Sequence, residues 1–235
     1  AGVPGRGQRV TPAAGAVEGV KAVLFDLDGT LVDSLPTIAD AMAEAAQMHG
    51  LDAEPEAIIP LIGAPMQILV EELFGVSVDI ANAVNEDYLR LYHSSYILTT
   101  PPHAGANELI DALDDAGLRL AIVTNKRDEG ARLMTHIMGW LDRFEVVHGR
   151  DSGAPKPDPE AALAVLRKMN LAPAEAAFVG DTEFDMNCGR DAGLAVVIGI
   201  AGSRDEERLR AEGATHVVRS LEEVGTVLLG AEVMR

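Results

Sequence analysis

The feature that most constrains the fold of this chain is a short apolar run that ends in two closely spaced aspartates. Residues Ala22–Phe25 suit a buried β-strand, and Asp26 and Asp28 follow it directly. Two acids separated by one residue point to the same side of an extended chain. At the carboxyl end of a parallel strand they would lie where open α/β sheets bind their ligands. Because the two like charges repel each other, the pair favours a bound cation.

The residues after the aspartates are consistent with a ligand site but do not require one. Gly29 lets the backbone turn and approach a ligand closely, and Thr30 adds a hydroxyl. Taken alone, the same stretch equally fits a strand followed by an acidic turn, because Asp-Gly is among the commonest turn dipeptides. The choice between the two interpretations depends on the remaining chain.

The charge of the chain excludes several classes of partner. Its 235 residues include 19 Lys and Arg and 37 Asp and Glu, for a formal net charge of −18. Such a chain suits neither nucleic acid nor an anionic membrane surface, and a phosphate site in it needs a metal or a local cation. The single cysteine, Cys188, precludes an internal disulfide framework and fits a cytoplasmic location. No apolar stretch reaches membrane-spanning length, and we recognise no signal peptide.

Residue patterns divide the chain into three parts. Residues 1–18 are rich in Gly, Pro and Ala without periodicity, and we expect a flexible tail there. Residues 34–99 carry apolar residues at helical spacing and predict an all-helical cap, with Ser34 as a candidate cap of its first helix. Residues 19–33 and 100–235 together form the predicted catalytic core.

The pattern after residue 100 alternates between helices and strands. Predicted strands include Leu118–Val123 and Ala176–Val179, and helical segments separate the successive strands. Such alternation indicates a mostly parallel sheet with helices on both faces. The predicted fold class is therefore α/β, a Rossmann-like parallel sheet core flanked by helices, with an inserted all-helical cap domain.

Chemically useful side chains recur at the ends of the predicted strands. Thr124 ends one strand and Asp181 another, and Asp185 follows four residues later on the same face of a predicted helix. Lys156 lies in a proline-rich loop between them. Because strand ends of one sense meet at one edge of a parallel sheet, we expect these residues to converge with the two aspartates of the first strand.

Each of these residues also has an ordinary interpretation. Thr124 alone fits a turn, and Lys156 alone fits a solvated surface charge. Asp181 alone fits a helix cap, and Asp185 a solvent-facing side chain. Their joint occurrence, in this order and each at a strand end or in an adjoining loop, favours a functional site.

The combination resembles the haloacid-dehalogenase superfamily phosphatases that carry a helical cap after the first motif, over residues 20–229. The four motifs correspond to Asp26-Leu27-Asp28-Gly29-Thr30, to Thr124, to Lys156, and to Gly180-Asp181 with Asp185. Within the superfamily, the chain is similar to phosphoglycolate-phosphatase-like enzymes. The resemblance implies a Mg²⁺-dependent hydrolase of small phosphomonoesters that forms an aspartyl phosphate.

The resemblance also implies a role for each residue of the site. Asp26 would be the nucleophile, and Asp28 the general acid and base. Mg²⁺ would be held by the carboxylates of Asp26 and Asp181 and the backbone carbonyl of Asp28, with Asp185 in a supporting or water-mediated position. Thr124 and Lys156 would also act in catalysis, by neutralising charge that grows in transfer. The phosphoryl oxygens would be bound by four residues, Gly29, Thr124, Asn125 and Lys156.

Other activities fit the sequence less well. Dehalogenases carry a different residue where Asp28 stands, and the phosphonatase branch needs a cap lysine, whereas residues 34–99 contain none. The phosphoglucomutase branch tends to carry an arginine and a glutamate where this chain has Met66 and Gly180. A sugar-phosphate phosphatase or a phosphoglucomutase-like enzyme is the alternative. An aspartyl-phosphate signalling module without turnover is a remote one.

The cap is expected to select the substrate, a small phosphorylated metabolite. Residues 34–99 contain ten Asp or Glu and, apart from histidines, a single basic residue, Arg90. Such a lid disfavours nucleotides and bisphosphates, while the small or apolar residues Ile62 and Ala64-Pro65-Met66 favour a small leaving group with at most one charge. We expect phosphoglycolate, with Arg90 binding its carboxylate, ahead of a small sugar phosphate.

Overall fold

The computed structural model of the chain describes residues 17–63 and 66–230. Most of the predicted tail lies outside the described residues, as do the predicted cap residues Ala64 and Pro65 and the side chain of Met66.

In this part of the chain, six strands form one sheet. They are β1 (Ala22–Phe25), β2 (Arg119–Val123), β3 (Phe144–His148), β4 (Ala176–Gly180), β5 (Val196–Ile200) and β6 (His216–Val218). Their order across the sheet is β3-β2-β1-β4-β5-β6, and every neighbouring pair is parallel. The predicted α/β class is therefore confirmed.

Between β1 and β2 the described chain forms helices first of the cap and then of the core. The cap helices are α1 (Leu35–Met48), α2 (Pro55–Ile58), α3 (Met66–Phe74), α4 (Val78–Leu91) and α5 (Ile97–Thr99). A 3₁₀ turn at Ile59–Leu61 extends α2, and a π-helical segment at Tyr92–Tyr96 joins α4 to α5. The predicted helical cap is thus present.

The core helices cover both faces of the sheet. They are α6 (Ala106–Asp115), α7 (Asp128–Ile137), α8 (Glu160–Met169), α9 (Glu183–Asp191), α10 (Glu206–Ala211) and α11 (Leu221–Leu229). Short 3₁₀ segments lie at Arg150–Ser152 and Pro173–Glu175. Within the described residues, no helix is long and apolar enough to cross a lipid bilayer.

The central strand β1 is buried on both faces. Ala22 and Leu24 belong to the buried cluster that contains the apolar side of α8, whereas Val23 and Phe25 belong to a larger cluster that extends into α1 and α4. Such two-sided burial explains why β1 is a continuous apolar run without alternation. It also means that the residue after Phe25 emerges in the middle of the sheet edge.

The cap is connected to the core by two segments that pair with each other. Asp33 N donates to the carbonyl of Pro101 at 3.0 Å, and Val32 forms an isolated bridge with Pro102. Ser34 occupies the predicted N-cap position of α1, but its Oγ makes no capping bond and instead donates to Asp28 Oδ1 at 2.8 Å. A carboxylate is the stronger acceptor, so the serine serves the site rather than the helix.

Truncation of β1 should be far more damaging than truncation of an exposed leucine in the cap. Leu24 is 0% exposed and Leu98 is 64% exposed. We expect Leu24→Ala to lower the free energy of unfolding by about 2–5 kcal/mol, because it leaves a cavity between the sheet and α8. Leu98→Ala should change it by less than about 0.5 kcal/mol. Urea denaturation followed by circular dichroism measures both, and equal losses would contradict the assignment of Leu24 to the core.

Candidate active site

Sheet register brings the strand-end residues together as the sequence predicts. Phe25 of β1 pairs with Ile122 of β2 and with Val179 of β4, so these three strands end side by side at the same edge of the sheet. Asp26 N donates to the carbonyl of Val179 at 2.9 Å, which continues the ladder by one bond. Asp26 therefore lies at the centre of the edge, with Thr124 on one side and Asp181 on the other.

A buried lysine joins two of the acids. Lys156 Nζ lies 2.8 Å from Asp26 Oδ1 and 2.6 Å from Asp185 Oδ1, and the lysine side chain is 2% exposed. Burial by itself would lower the pKa of Lys156, but the charges of Asp185 and Asp26 outweigh it and raise the pKa. The lysine is therefore a permanent cation in contact with the predicted nucleophile.

Asp185 is saturated with hydrogen bonds. Its Oδ1 accepts from Lys156, and its Oδ2 accepts from Thr182 N at 3.0 Å and Thr182 Oγ1 at 2.6 Å. Gly180 makes room for this arrangement, since a Cβ there would lie 2.3 Å from Asp185 Cγ. Asp185 therefore fixes the position of Lys156 and of the turn between β4 and α9.

Asp181 is held by two hydroxyl groups. Thr30 Oγ1 donates to Asp181 Oδ1 at 2.9 Å, and Ser203 Oγ donates to Asp181 Oδ2 at 2.5 Å. Gly29 has a φ of +80°, and a Cβ at that position would lie 2.7 Å from Asp181 Oδ2. A glycine is therefore required for the loop after β1 to pass this close to the carboxylate.

The acidic cluster fits a divalent cation. One carboxylate oxygen from each of Asp26, Asp181 and Asp185 lies within 4.8 Å of the others. Burial, Asp185 and Asp181 raise the pKa of Asp26 to about 7 against the opposing effect of Lys156. Burial and Asp185 likewise raise the pKa of Asp181 to about 6. The single positive charge of Lys156 thus does not neutralise the three carboxylates. Carboxylate oxygens are ligands that suit Mg²⁺ or another hard cation.

The second aspartate of the first motif has a partner that the sequence interpretation did not assign. Lys126 Nζ donates to Asp28 Oδ1 at 3.0 Å and to Asp28 Oδ2 at 3.1 Å, and Oδ1 also accepts the bond from Ser34. The same ammonium lies 4.4 Å from the ring centroid of Tyr92 in the cap. The signal that could have identified this residue is the scarcity of lysine, because the chain contains only four.

The turn after β2 carries Thr124 and Asn125, two of the four predicted phosphate-binding residues. Thr124 Oγ1 accepts from Lys126 N at 3.2 Å. Among the described residues, the Asn125 amide bonds to backbone groups alone, donating to the carbonyls of Gly63 and Lys156 and accepting from Lys156 N. Asn125 therefore links this turn to Gly63 of the cap and to the loop that contains Lys156. The group of Asn125 left to contact a phosphate is its backbone N–H.

A cleft between the sheet edge and the cap contains the site. Its walls are formed by the site residues Asp26, Asp28, Thr124, Asn125, Lys156 and Asp181 together with three further groups. The apolar group comprises Leu35, Ile38, Ile59, Ile62, Leu89 and Phe184. Asn85 and Tyr88 of α4 add polar groups, and Lys126, Arg127 and Arg150 add positive charge.

Arg90 lies outside this cleft, contrary to the sequence expectation. Its side chain is 58% exposed and pairs with Asp87 at 2.7 Å on the outer side of α4. The helix does face the cleft, but through Asn85, Tyr88 and Leu89. Among the described residues, the basic side chains that line the cleft therefore all come from the core.

Comparison with known proteins agrees with this geometry. The family profile described as haloacid dehalogenase-like hydrolase matches residues 23–198. The chain is 29% identical over 78% of its length to a phosphoglycolate phosphatase from Aquifex aeolicus, of which 86% is covered. It is 31% identical over 74% of its length to an N-acetylmuramic acid 6-phosphate phosphatase from Pseudomonas aeruginosa, of which 79% is covered.

A solved structure has the same fold. A haloacid dehalogenase-like hydrolase from Streptococcus pneumoniae superposes with a TM-score of 0.80 at 25% identity, over 88% of this chain and 98% of that one.

A methyl group at Gly180 should disturb the acidic cluster, whereas one at Gly202 should not. A Cβ at Gly180 overlaps Asp185, while a Cβ at Gly202 has no atom within 4 Å among the described residues. We expect Gly180→Ala to weaken Mg²⁺ or Mn²⁺ binding by about 10-fold to 100-fold, because it displaces the group that orients Lys156. Calorimetric titration of both variants measures this, with Gly202→Ala as the matched control. Unchanged affinity in Gly180→Ala would remove Asp185 from this supporting role.

Proposed function

Because the chain belongs to the haloacid dehalogenase-like hydrolases and is a phosphatase, we propose that it hydrolyses small phosphomonoesters through an aspartyl phosphate on Asp26, with Mg²⁺ bound. The observation that carries this proposal is the surroundings of Asp26. The carboxylate lies at the end of the central strand, 2.8 Å from a buried ammonium and within 4.8 Å of two further carboxylates. A phosphoryl group in the cleft would meet a nucleophile and positive charge together.

The first step transfers the phosphoryl group to the protein. A carboxylate oxygen of Asp26 forms a bond to phosphorus while the bond from phosphorus to the ester oxygen of the substrate breaks. For this step Asp28 has to be in its protonated form, and it gives that proton to the ester oxygen, so the leaving group departs as a neutral alcohol group. Lys156 and the turn at Thr124 and Asn125 bind the equatorial oxygens, where charge is spread in transfer.

The second step regenerates the enzyme. Asp28, now ionised, takes a proton from a water molecule whose oxygen attacks phosphorus. The bond from phosphorus to Asp26 breaks, and inorganic phosphate leaves. The two bonds from Lys126 and the bond from Ser34 support this role, because they hold the Asp28 carboxylate in one orientation beside the cleft.

The acidic cluster supports the choice of cofactor. Asp26 and Asp181 offer carboxylate oxygens, with the carbonyl of Asp28 as the proposed third ligand and Asp185 as a supporting residue. Bound there, Mg²⁺ would neutralise negative charge on the phosphoryl group and on Asp26.

Two observations favour hydrolysis over the alternatives. A glutamate at position 180, which the mutase branch tends to carry, cannot be accommodated without moving Asp185, because even a Cβ there would overlap it. A signalling module needs no cap, whereas here cap residues such as Ile38 and Tyr88 line the cleft over Asp26. Phosphoglycolate is the first candidate substrate, and a sugar phosphate is second, since the two relatives described above are named for substrates of these two kinds. The cytoplasmic location stays a prediction.

Replacement of Asp26 should abolish turnover without unfolding the protein. We expect Asp26→Asn to lower kcat for p-nitrophenyl phosphate by roughly 1000-fold or more, because an amide cannot form the covalent intermediate. Removal of divalent ions with EDTA should stop the wild-type reaction, and Mg²⁺ should restore it. Asp142→Asn, at an exposed position, serves as the control. Near-normal turnover in a folded Asp26→Asn variant would remove Asp26 from the role of nucleophile.

A larger cation should not replace Lys156. The ammonium lies 2.8 Å from a carboxylate oxygen of Asp26 and 2.6 Å from one of Asp185, and the lysine side chain is 2% exposed, so a guanidinium has no space there. We expect Lys156→Arg to lose roughly 100-fold or more in kcat, nearly as much as Lys156→Ala. Lys168→Arg, at an exposed position, should retain wild-type kcat. Full activity in Lys156→Arg would mean that any positive charge suffices at this position.

A further inference from the structure

We propose that Arg150 binds a carboxylate on the leaving group of the substrate, so that the enzyme selects phosphate esters of short hydroxy acids over esters of neutral alcohols. This inference rests on the proposed function of the same site. It names the residue that recognises the leaving group, the part of the substrate remote from the phosphate.

Arg150 is held at a fixed place beside the catalytic loops. It opens the 3₁₀ segment that follows β3, and its backbone N–H donates to the carbonyl of Lys126 at 3.1 Å. The preceding residue, Gly149, packs so closely that a Cβ would lie 2.6 Å from that same carbonyl. The turn that carries Thr124 and the segment that carries Arg150 therefore form one rigid unit.

Within the described part of the chain, the guanidinium of Arg150 is the one cation of the cleft that has no acidic partner. Of the four basic side chains that line the cleft in the described residues, Lys156 pairs with Asp26 and Asp185. Lys126 pairs with Asp28, and Arg127 pairs with Asp151 at 3.2 Å.

Among the described residues, the Arg150 side chain makes neither a hydrogen bond nor an ion pair. Arg150 is half-buried, and a partly desolvated cation without a partner costs free energy that a bound anion would recover.

The cap supplies complementary groups on the facing wall. Tyr88 and Asn85 of α4 line the same cleft as Arg150. Burial raises the pKa of Tyr88, and the positive charges of Lys126 and Arg150 oppose that effect, so the arginine lies within electrostatic range of the phenol. A carboxylate bound by the guanidinium fork could therefore also accept a hydrogen bond from a neutral phenol hydroxyl.

The charges in the cleft favour a carboxylate over a second phosphate. Because the other three basic side chains already have partners, Arg150 offers one uncompensated positive charge, which matches one carboxylate. A second phosphate would bring up to two negative charges to a cleft whose cap wall, among the described residues, offers no basic side chain. Apolar side chains form much of the remaining wall, so a short leaving group is expected.

The test compares two substrates that differ only in the proposed contact. Phosphoglycolate and 2-hydroxyethyl phosphate have the same chain length, but the first ends in a carboxylate and the second in a neutral alcohol. For the wild type we expect kcat/KM to favour phosphoglycolate by roughly 100-fold. Arg150→Gln should lower kcat/KM for phosphoglycolate by a similar factor, mainly through KM, and leave that for 2-hydroxyethyl phosphate within about 3-fold. Arg150→Lys should recover part of the preference, because it restores the charge without the planar fork.

Two controls separate this proposal from others. Arg90→Gln, the cap arginine outside the cleft, should keep the wild-type KM for phosphoglycolate. Equal losses on both substrates in Arg150→Gln would give Arg150 a structural or catalytic role and overturn the proposal. A wild-type preference for pyrophosphate or a bisphosphate that Arg150→Gln removes would overturn the assignment to a carboxylate.

The failure of the proposed function gives a different result. If the wild type hydrolyses neither ester nor p-nitrophenyl phosphate in the presence of Mg²⁺, the proposed phosphomonoesterase activity is wrong, and the inference about Arg150 is overturned as well. Hydrolysis of both esters at the same kcat/KM overturns the role of Arg150 alone and leaves the proposed function in place.

Discussion

The burial of three carboxylates at one edge of the sheet is the constraint on which the arrangement of the loops depends. Asp26, Asp181 and Asp185 are 7%, 2% and 0% exposed. A buried carboxylate is stable only with hydrogen bonds and opposite charge around it. Lys156 brings that charge to Asp26 and Asp185, while hydroxyl and backbone donors serve both oxygens of Asp181 and the second oxygen of Asp185. Four loops that are distant in sequence are therefore ordered by one electrostatic requirement, and the charge that stays uncompensated is the reason that a divalent cation fits.

Two glycines let these acids come so close to their partners. At Gly29 the positive φ and the contact with Asp181 exclude a side chain, and at Gly180 the body of Asp185 occupies the space that a Cβ would take. In both cases the space that a side chain would need is occupied by a carboxylate of the site, that of Asp181 at Gly29 and that of Asp185 at Gly180. The motifs are thus mutually dependent in space, which explains why Asp-Gly and Gly-Asp pairs accompany the acids in this sequence.

The fold and the centre of the site could be predicted from the sequence, because each follows from a rule that acts along the chain. Alternating strands and helices imply a parallel sheet, and a parallel sheet brings the residues after β1, β2 and β4 to one edge. The contacts of Ser34, Lys126 and Ser203 with the acids could not be predicted, since they depend on how separate loops pack. Arg90 was misplaced for a related reason. On a helix that turns about 100° per residue, Tyr88 and Leu89 face the cleft while the next residue faces away.

The difference between what the sequence specifies and what packing decides also applies to inferring a substrate from charged residues. The count of acids and bases in residues 34–99 describes an acidic cap with one arginine, and from that count the cap arginine was the only candidate for a substrate anion. In the folded chain, that arginine is already neutralised by Asp87, and the basic residues around the nucleophile come from the core. What a ligand experiences is the charge that remains after the protein has paired its own groups. By that measure, and within the part of the chain that the structure describes, the cleft offers an anion one guanidinium that no acidic side chain neutralises, and the proposed selectivity depends on it.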